Sequence, residues 1–383
     1  MSADVDQRAA ALAPEPEDPL PQHRDQAARL GVLVIGAGDM GVRHAQHWQA
    51  VGAHVIAIVD PELARAEAAA GRFGAEPGTA PEPFLADPAV NVVSVCTPTY
   101  LHAGYSVKAL DAGKHVLCEK PAALTLRDAV AMRDAAERSG KALRIGFMRR
   151  FDPAYRTLME YAERAGRPLL AQATITAGVR PKRLMHDALA NGGPIIDMCC
   201  HVFNLWDRMF GAEPSTVSAR GYTFSDDKPE VAGIAQRALD SALIMLEYEG
   251  GSVGQIQVSW GLPAGIEPVE RHTYVGPAGL VTVDWNRHIT LRDASGVTRW
   301  RTQGIDPWRA EIEQFSRELT EGAPREVADI GDGIAALRVS LAVLEAIRER
   351  RVTVPAEVAD CESEPAEGAA SQAEGAASQE VHS

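Results

Sequence analysis

Apolar residues follow two different rhythms along the chain. In the first half, short apolar runs alternate with helix-like stretches. Residues 30–35 (LGVLVI), His54–Val59 (HVIAIV), 90–96 (VNVVSVC), 115–118 and 142–147 predict strands. Between them, the stretch up to about 51 and residues 62–71, 105–112 and 126–139 predict helices. Strands separated by helices imply right-handed βαβ units and a parallel sheet. The second half reads differently. Residues 170–177, 215–222, 241–249, 252–259, 272–275, 280–283 and 289–292 are strand-like and follow one another, with turn signals such as Glu249-Gly250-Gly251. That succession predicts an antiparallel or mixed sheet. One helical block, 196–210, interrupts it, and two helices, 308–320 and 334–350, close the chain.

The ends lack either rhythm. Residues 1–28 and 356–383 are rich in Ala and acidic residues, with Pro prominent in the first, and the second carries AEGAASQ twice in tandem at 366–379. Both are expected to be disordered tails. The expected division is therefore a tail at 1–28, a first domain at 29–150, a second, substrate-binding α+β domain at 151–355 with the closing helices, and a tail at 356–383. A length of 383 residues suits two domains.

Charge changes this picture only when it is located. The chain has 38 basic and 52 acidic side chains, a net charge of −14. Residues 1–28 carry −4 and 356–383 carry −7, which leaves −3 for the part between them. A nearly balanced body without a basic excess gives no basis for nucleic-acid or membrane-surface binding. No run of about 18 apolar residues marks a membrane span. The N-terminus lacks the basic and apolar regions of a secretory signal. Five cysteines, an odd number without paired spacing, suit reduced thiols and a cytoplasmic location.

Gly36-Ala37-Gly38-Asp39-Met40-Gly41 is a G-x-G-x-x-G between a predicted strand and a predicted helix. Gly36 permits the turn, Gly38 lets backbone approach a pyrophosphate, and Gly41 allows close helix–strand packing. The helix N-terminus, with Asp39 and Met40 in its first turn, supplies free N–H groups. Asp60 ends the second strand. A carboxylate there accepts from ribose hydroxyls and repels a 2′-phosphate, which favours NAD over NADP. The first domain is thus expected to be an NAD-binding Rossmann domain.

Three further segments carry a resemblance. They are Cys96-Thr97-Pro98-Thr99-Tyr100-Leu101-His102, the run from Ala112-Gly113-Lys114-His115 to Glu119-Lys120-Pro121, and Asn191-Gly192-Gly193 to Asp197 and His201. Together they resemble the Gfo/Idh/MocA family of nicotinamide-dependent oxidoreductases, across nearly all of the chain between the tails. The resemblance implies cofactor contacts from Thr97, Pro98, His102, Glu119 and Lys120, in addition to the glycine turn and Asp60. It implies a cis Lys120-Pro121 bond and catalysis by Lys120, Asp197 and His201.

The residues support those roles on their own chemistry. Lys120 follows a parallel strand, on the ligand-binding edge of the sheet, where an ammonium stabilises a developing alkoxide. Asp197 and His201 are i and i+4, so on one helix they share a face. An imidazole takes a hydroxyl proton near neutral pH, and the carboxylate orients the ring or contacts substrate. Family members acting on polyols often carry Asp three residues after this His; here it is Asn204, whose amide is expected to bond a substrate hydroxyl without charge assistance.

Gly146-Phe147-Met148-Arg149-Arg150-Phe151-Asp152-Pro153 resembles a segment of the family's inositol dehydrogenases that lies beside substrate, so Arg150 and Asp152 are expected to bond vicinal hydroxyls. Arg180, Lys182, Arg183 and His186 form a basic loop that binds an anion, covers the site or is merely solvated; the alternatives stay open. Cys199 and Cys200 are expected to pack in the core, with no metal site. The expected function is NAD-dependent oxidation of a secondary hydroxyl of a cyclitol or related sugar. The alternatives are an aldose or nucleotide-sugar oxidoreductase, an NAD-dependent glycosidase and a non-catalytic NAD-binding regulator. The resemblance further implies a homodimer or homotetramer, formed through an exposed sheet face.

Overall fold

The structure, a computed structural model, describes residues 30–355 apart from 286, 302 and 303. Both expected tails, and Cys361 with them, lie outside the described residues. The first sheet is built from β1 (Gly31–Ile35), α1 (Asp39–Ala50), β2 (His54–Val59), α2 (Leu63–Ala70), β3 (Glu76–Gly78), α3 (Glu82–Leu85), β4 (Val92–Val95), α4 (His102–Asp111), β5 (His115–Glu119), α5 (Leu126–Ser139) and β6 (Leu143–Gly146). Its order is β3-β2-β1-β4-β5-β6 and every pairing is parallel. Strands this apolar are buried on both faces, and all residues of β1 and β4 are. The order reverses between β1 and β4, which opens the crevice where such sheets bind ligands.

The second half continues with α6 (Pro153–Ala165), β7 (Leu170–Gly178), α7 (Gly193–Asp197), α8 (Cys199–Phe210), β8 (Thr216–Tyr222), β9 (Ser241–Glu247), β10 (Val253–Leu262), β11 (Val269–Gly276), β12 (Gly279–Asp284), β13 (His288–Asp293) and β14 (Gly296–Arg301). The sheet order is β14-β13-β12-β11-β7-β10-β9-β8, antiparallel except for the parallel pair β7 and β10. Side chains alternate across it. On β9, Ala242, Ile244 and Leu246 are buried while Leu243 and Met245 are exposed. The chain closes with α9 (Pro307–Glu321) and α10 (Ile330–Glu349). The fold is a Rossmann domain followed by a mostly antiparallel α+β domain.

Several elements depart from the sequence expectation. Helix α6 was not foreseen, although Asp152 caps it by accepting from Ala154 N–H and Pro153 occupies its first position. The short elements β3 and α3 and the exposed strand β14 were not foreseen either. The single helix expected over 196–210 is two, α7 and α8, with Met198 between them. Helix α9, expected with the second domain, returns to α1 and buries Ile312 and Phe315 beside Trp48, with the Phe315 and Trp48 rings 6.2 Å apart.

Candidate active site

The glycine turn has the shape its sequence requires. Gly36 has φ +102°, a conformation costly for any residue with a Cβ. A Cβ on Gly41 would lie 1.7 Å from the Gly36 carbonyl oxygen, whereas one on Gly38 would meet nothing within 4 Å. The turn is therefore tight where helix meets strand and open where a phosphate would approach. Gly38 is the N-cap of α1 and makes no side-chain cap, so the first N–H groups of the helix, at Asp39 and Met40, remain available to an anion. Asp60, at the end of β2, accepts from Ala37 N–H and from Glu62 N–H, each at 3.0 Å. These residues fit a dinucleotide diphosphate and ribose.

Across the crevice, Thr97-Pro98 follows β4 and Lys120 follows β5. The Lys120-Pro121 bond is cis. Two buried histidines hold this rim. His102 lies between carbonyls, with Nδ1 2.8 Å from Pro121 O and Nε2 2.9 Å from Thr97 O. Both ring nitrogens face backbone carbonyls, and the neutral ring donates its N–H to one of them, so the cofactor contact expected of His102 is corrected to a packing tie between two strand-end loops. Glu119 is corrected in the same sense. Its carboxylate is buried, accepting Lys120 N–H at 3.1 Å and meeting His44 Nε2 at 3.0 Å.

The His44 tautomer follows from its other bond. Trp48 Nε1–H donates to Ser94 Oγ at 2.7 Å, so the Ser94 hydroxyl is free to donate to His44 Nδ1 at 3.2 Å. That leaves Nε2–H to donate to Glu119. Burial alone would raise the Glu119 carboxyl, but this bond and neighbouring positive charge hold it below the usual range. Glu119 thus anchors the backbone of Lys120 from beneath.

Lys120, Asp197 and His201 come together from three elements. Lys120 Nζ donates to Asp197 Oδ1 and, at 3.0 Å, to Asp197 O. Asp197 Oδ2 accepts from Asn191 Nδ2 at 3.0 Å, and Asn191 Oδ1 accepts from Thr99 Oγ1 at 3.2 Å, which links the two domains. The expectation that Asp197 orients His201 along one helix is corrected. The Asp197 carboxylate is taken by the Lys120 ammonium and Asn191. His201 is buried with its Nδ1 unpartnered, its ring edge-on to Phe147 at 6.0 Å.

Electrostatics separates the two bases. Burial drives His201 well below 6.5, and the charges of Arg149 and Lys120 add to it, so the imidazole is neutral at pH 7. Burial also pulls Lys120 down, but Asp197 outweighs it and the ammonium persists above its ordinary value. A neutral imidazole and a protonated amine, pushed apart by their surroundings, are suited to proton acceptance and oxyanion stabilisation respectively.

The two arginines of the 147–153 segment have different partners. Arg150 Nε donates to Asn204 Oδ1 at 3.0 Å and its other end meets Asp332 at 2.6 Å, so Arg150 supports helix α8 from behind. Asp152 is the cap of α6. The substrate contacts expected of Arg150 and Asp152 are therefore corrected to structural ones, and Asn204 spends its carbonyl oxygen on Arg150.

Arg149 instead carries its charge close enough to act on His201. It pairs with Glu270, with Nη2 2.9 Å from Oε2, and lies 5.6 Å from the Trp285 ring centroid. Glu270 is held down at about 2 despite burial, by Arg149 and His272. Glu270→Ala would leave a largely buried guanidinium unpaired. It is expected to destabilise the protein by roughly 3 kcal/mol, read by urea unfolding; a loss below about 1 kcal/mol, the range of an exposed pair, would contradict this. Arg149 and Asn191 stand inside segments already singled out, whereas Glu270 lies on β11 with no local signal.

Cys199 and Cys200 are buried. Among the described residues no helix is long and apolar enough to cross a membrane.

The family model for oxidoreductases with an NAD-binding Rossmann fold matches residues 30–147, and that for the GFO/IDH/MocA C-terminal domain matches 157–276. The chain belongs to the Gfo/Idh/MocA family of oxidoreductases, and its first domain is an NAD-binding Rossmann domain. It is similar to scyllo-inositol 2-dehydrogenase (NAD(+)) of Bacillus subtilis, 29% identical over 82% of this chain and 93% of that protein. It is also similar to inositol 2-dehydrogenase of Acidothermus cellulolyticus, 30% identical over 85% of this chain and 94% of that one. Among solved structures, a probable dehydrogenase from Thermotoga maritima superposes with a TM-score of 0.72 at 28% identity, covering 86% of this chain and all of that one.

Proposed function

We propose that this oxidoreductase oxidises a secondary hydroxyl of a cyclitol to a ketone, with NAD as the acceptor. The observation that carries the proposal is the convergence of protonated Lys120, paired with Asp197, and neutral His201 at the carboxyl edge of the parallel sheet, beside the glycine turn. The inositol dehydrogenases it resembles support the substrate class.

In this proposal Lys120 and His201 are catalytic residues. The substrate hydroxyl lies between Lys120 Nζ and His201. His201 takes the hydroxyl proton, and Lys120 holds the oxygen as negative charge develops on it. Asp197 keeps Lys120 charged and fixed in place, and Asn191 fixes Asp197. Arg149, held by Glu270, adds its charge to the burial that keeps His201 neutral. A bound nicotinamide supplies the hydride acceptor.

The test is NADH formation across inositol isomers, amino-inositols and hexoses, with NADP run beside NAD. Turnover of a cyclitol with NAD supports the proposal; turnover confined to aldoses or nucleotide sugars would replace its substrate.

Asp60 is proposed to bind the adenosine ribose. Asp60→Ser is expected to weaken NAD at least about tenfold, since hydrogen bonds to a charged group contribute about 1.5–3 kcal/mol, and to raise use of NADP. Unchanged NAD affinity, measured by NADH fluorescence titration, would remove Asp60 from the cofactor site.

A further inference from the structure

Two exposed side chains from opposite domains meet at the glycine turn. Lys182 Nζ, in the loop between β7 and α7, lies 2.6 Å from Asp39 Oδ2 on the first residue of α1. Their side chains are 63% and 83% exposed. An ion pair so exposed contributes only about 0–1 kcal/mol, so stability gives no reason for the loop to reach there.

Its position does. Asp39 stands where the free N–H groups of α1 would receive a diphosphate, and its charge has the same sign as that ligand. The loop that brings Lys182 is built. The buried His186 ring closes it against the Arg180 backbone at 3.0 Å, the Arg180 guanidinium lies 5.5 Å from the Trp260 ring centroid, and Ala238 N–H donates to His186 O at 2.8 Å. Lys182 also borders a cavity of about 750 Å³ along α1, shared with Ala37, Gly38, Asp39 and Arg43.

We propose that Lys182 is a cofactor-binding residue contributed by the second domain: its ammonium offsets Asp39 and pairs with the diphosphate of the dinucleotide. The cofactor is thereby held by both domains, and one of the roles left open for the basic loop, anion binding, is the one it performs. This rests on the NAD-binding assignment of the first domain.

The test is fluorescence titration with NADH, with ADP and adenosine as competitors. Lys182→Ala is expected to raise the Kd of NADH and of ADP at least about tenfold, the worth of one charge-assisted contact, and to leave adenosine unchanged. Lys182→Arg should retain affinity. Asp39→Asn should bind NADH at least as well as the wild type, and in the Lys182→Ala background it should restore most of the loss.

An unaltered Kd in Lys182→Ala would overturn the assignment. So would equal weakening of adenosine and ADP. Asp39→Asn as damaging as Lys182→Ala would also overturn it, since that pattern belongs to a domain latch without a diphosphate contact. Wild-type protein that binds no NADH would overturn the cofactor assignment itself, a result distinct from the other three.

Discussion

Lys120→Met is expected to lower kcat by about 10³-fold or more, while NADH affinity stays within about threefold of the wild type. The methionine stem retains the packing of the lysine and removes only its charge. That charge does two things at the proposed reaction centre. It donates to the substrate oxygen, and it stabilises that oxygen most when it is an alkoxide. Loss of a single such donor costs on the order of 10²–10³ in kcat, and here an uncompensated Asp197 carboxylate would remain in its place, opposing the developing negative charge. Adding Asp197→Asn to the variant should therefore recover part of the rate. A Lys120→Met enzyme within about tenfold of wild-type kcat would mean that the oxyanion is held by another group.

His201→Ala is expected to lower kcat by roughly 10²–10⁴, the range for a positioned general base, again with NADH binding retained. The pH profile adds a second readout. The burial of His201, reinforced by Arg149 and Lys120, favours the neutral form, so its folded-state pKa lies below 6.5. A base with a depressed pKa stays competent as pH falls through 6.5 and is lost only below its own value. The acidic limb of kcat/KM is therefore expected well below pH 6.5 in the wild type and should disappear in the alanine variant. An acidic limb near pH 7 or above would show that another group accepts the proton.

Much of this arrangement is legible in the chain because its cues are local. Continuous apolar runs such as VLVI and VVSV mark parallel strands, and Gly36 to Gly41 marks the turn between one of them and its helix. Lys120, Asp197 and His201 stand inside recognisable segments. What escapes is the pairing of side chains distant in sequence. Asp197 answers to Lys120, 77 residues away, and to Asn191, rather than to the histidine one turn on.

Arg149 and Arg150 are adjacent in sequence, yet one faces Glu270 and the other Asn204 and Asp332. Which partners each of two neighbouring arginines meets depends on the turn at Met148–Phe151, not on composition. Helix α6 differs, since its Asp152-Pro153 cap and apolar face are local cues in the chain. Strand β14 is exposed along most of its length and gives no burial pattern to detect. Lys182 and Asp39 are 143 residues apart on an exposed surface, where neither periodicity nor motif connects them.

The most direct test of the central claim follows the hydrogen. A cyclitol carrying deuterium on the carbinol carbon is incubated with the protein and NAD, and the reduced cofactor is analysed by mass spectrometry and NMR. Direct hydride transfer at the Lys120–His201 site predicts one deuterium at C4 of the reduced nicotinamide, with Lys120→Met and His201→Ala forming little labelled product. Reduced cofactor without the label, or no reduction of NAD by any cyclitol while NADH still binds, would contradict it.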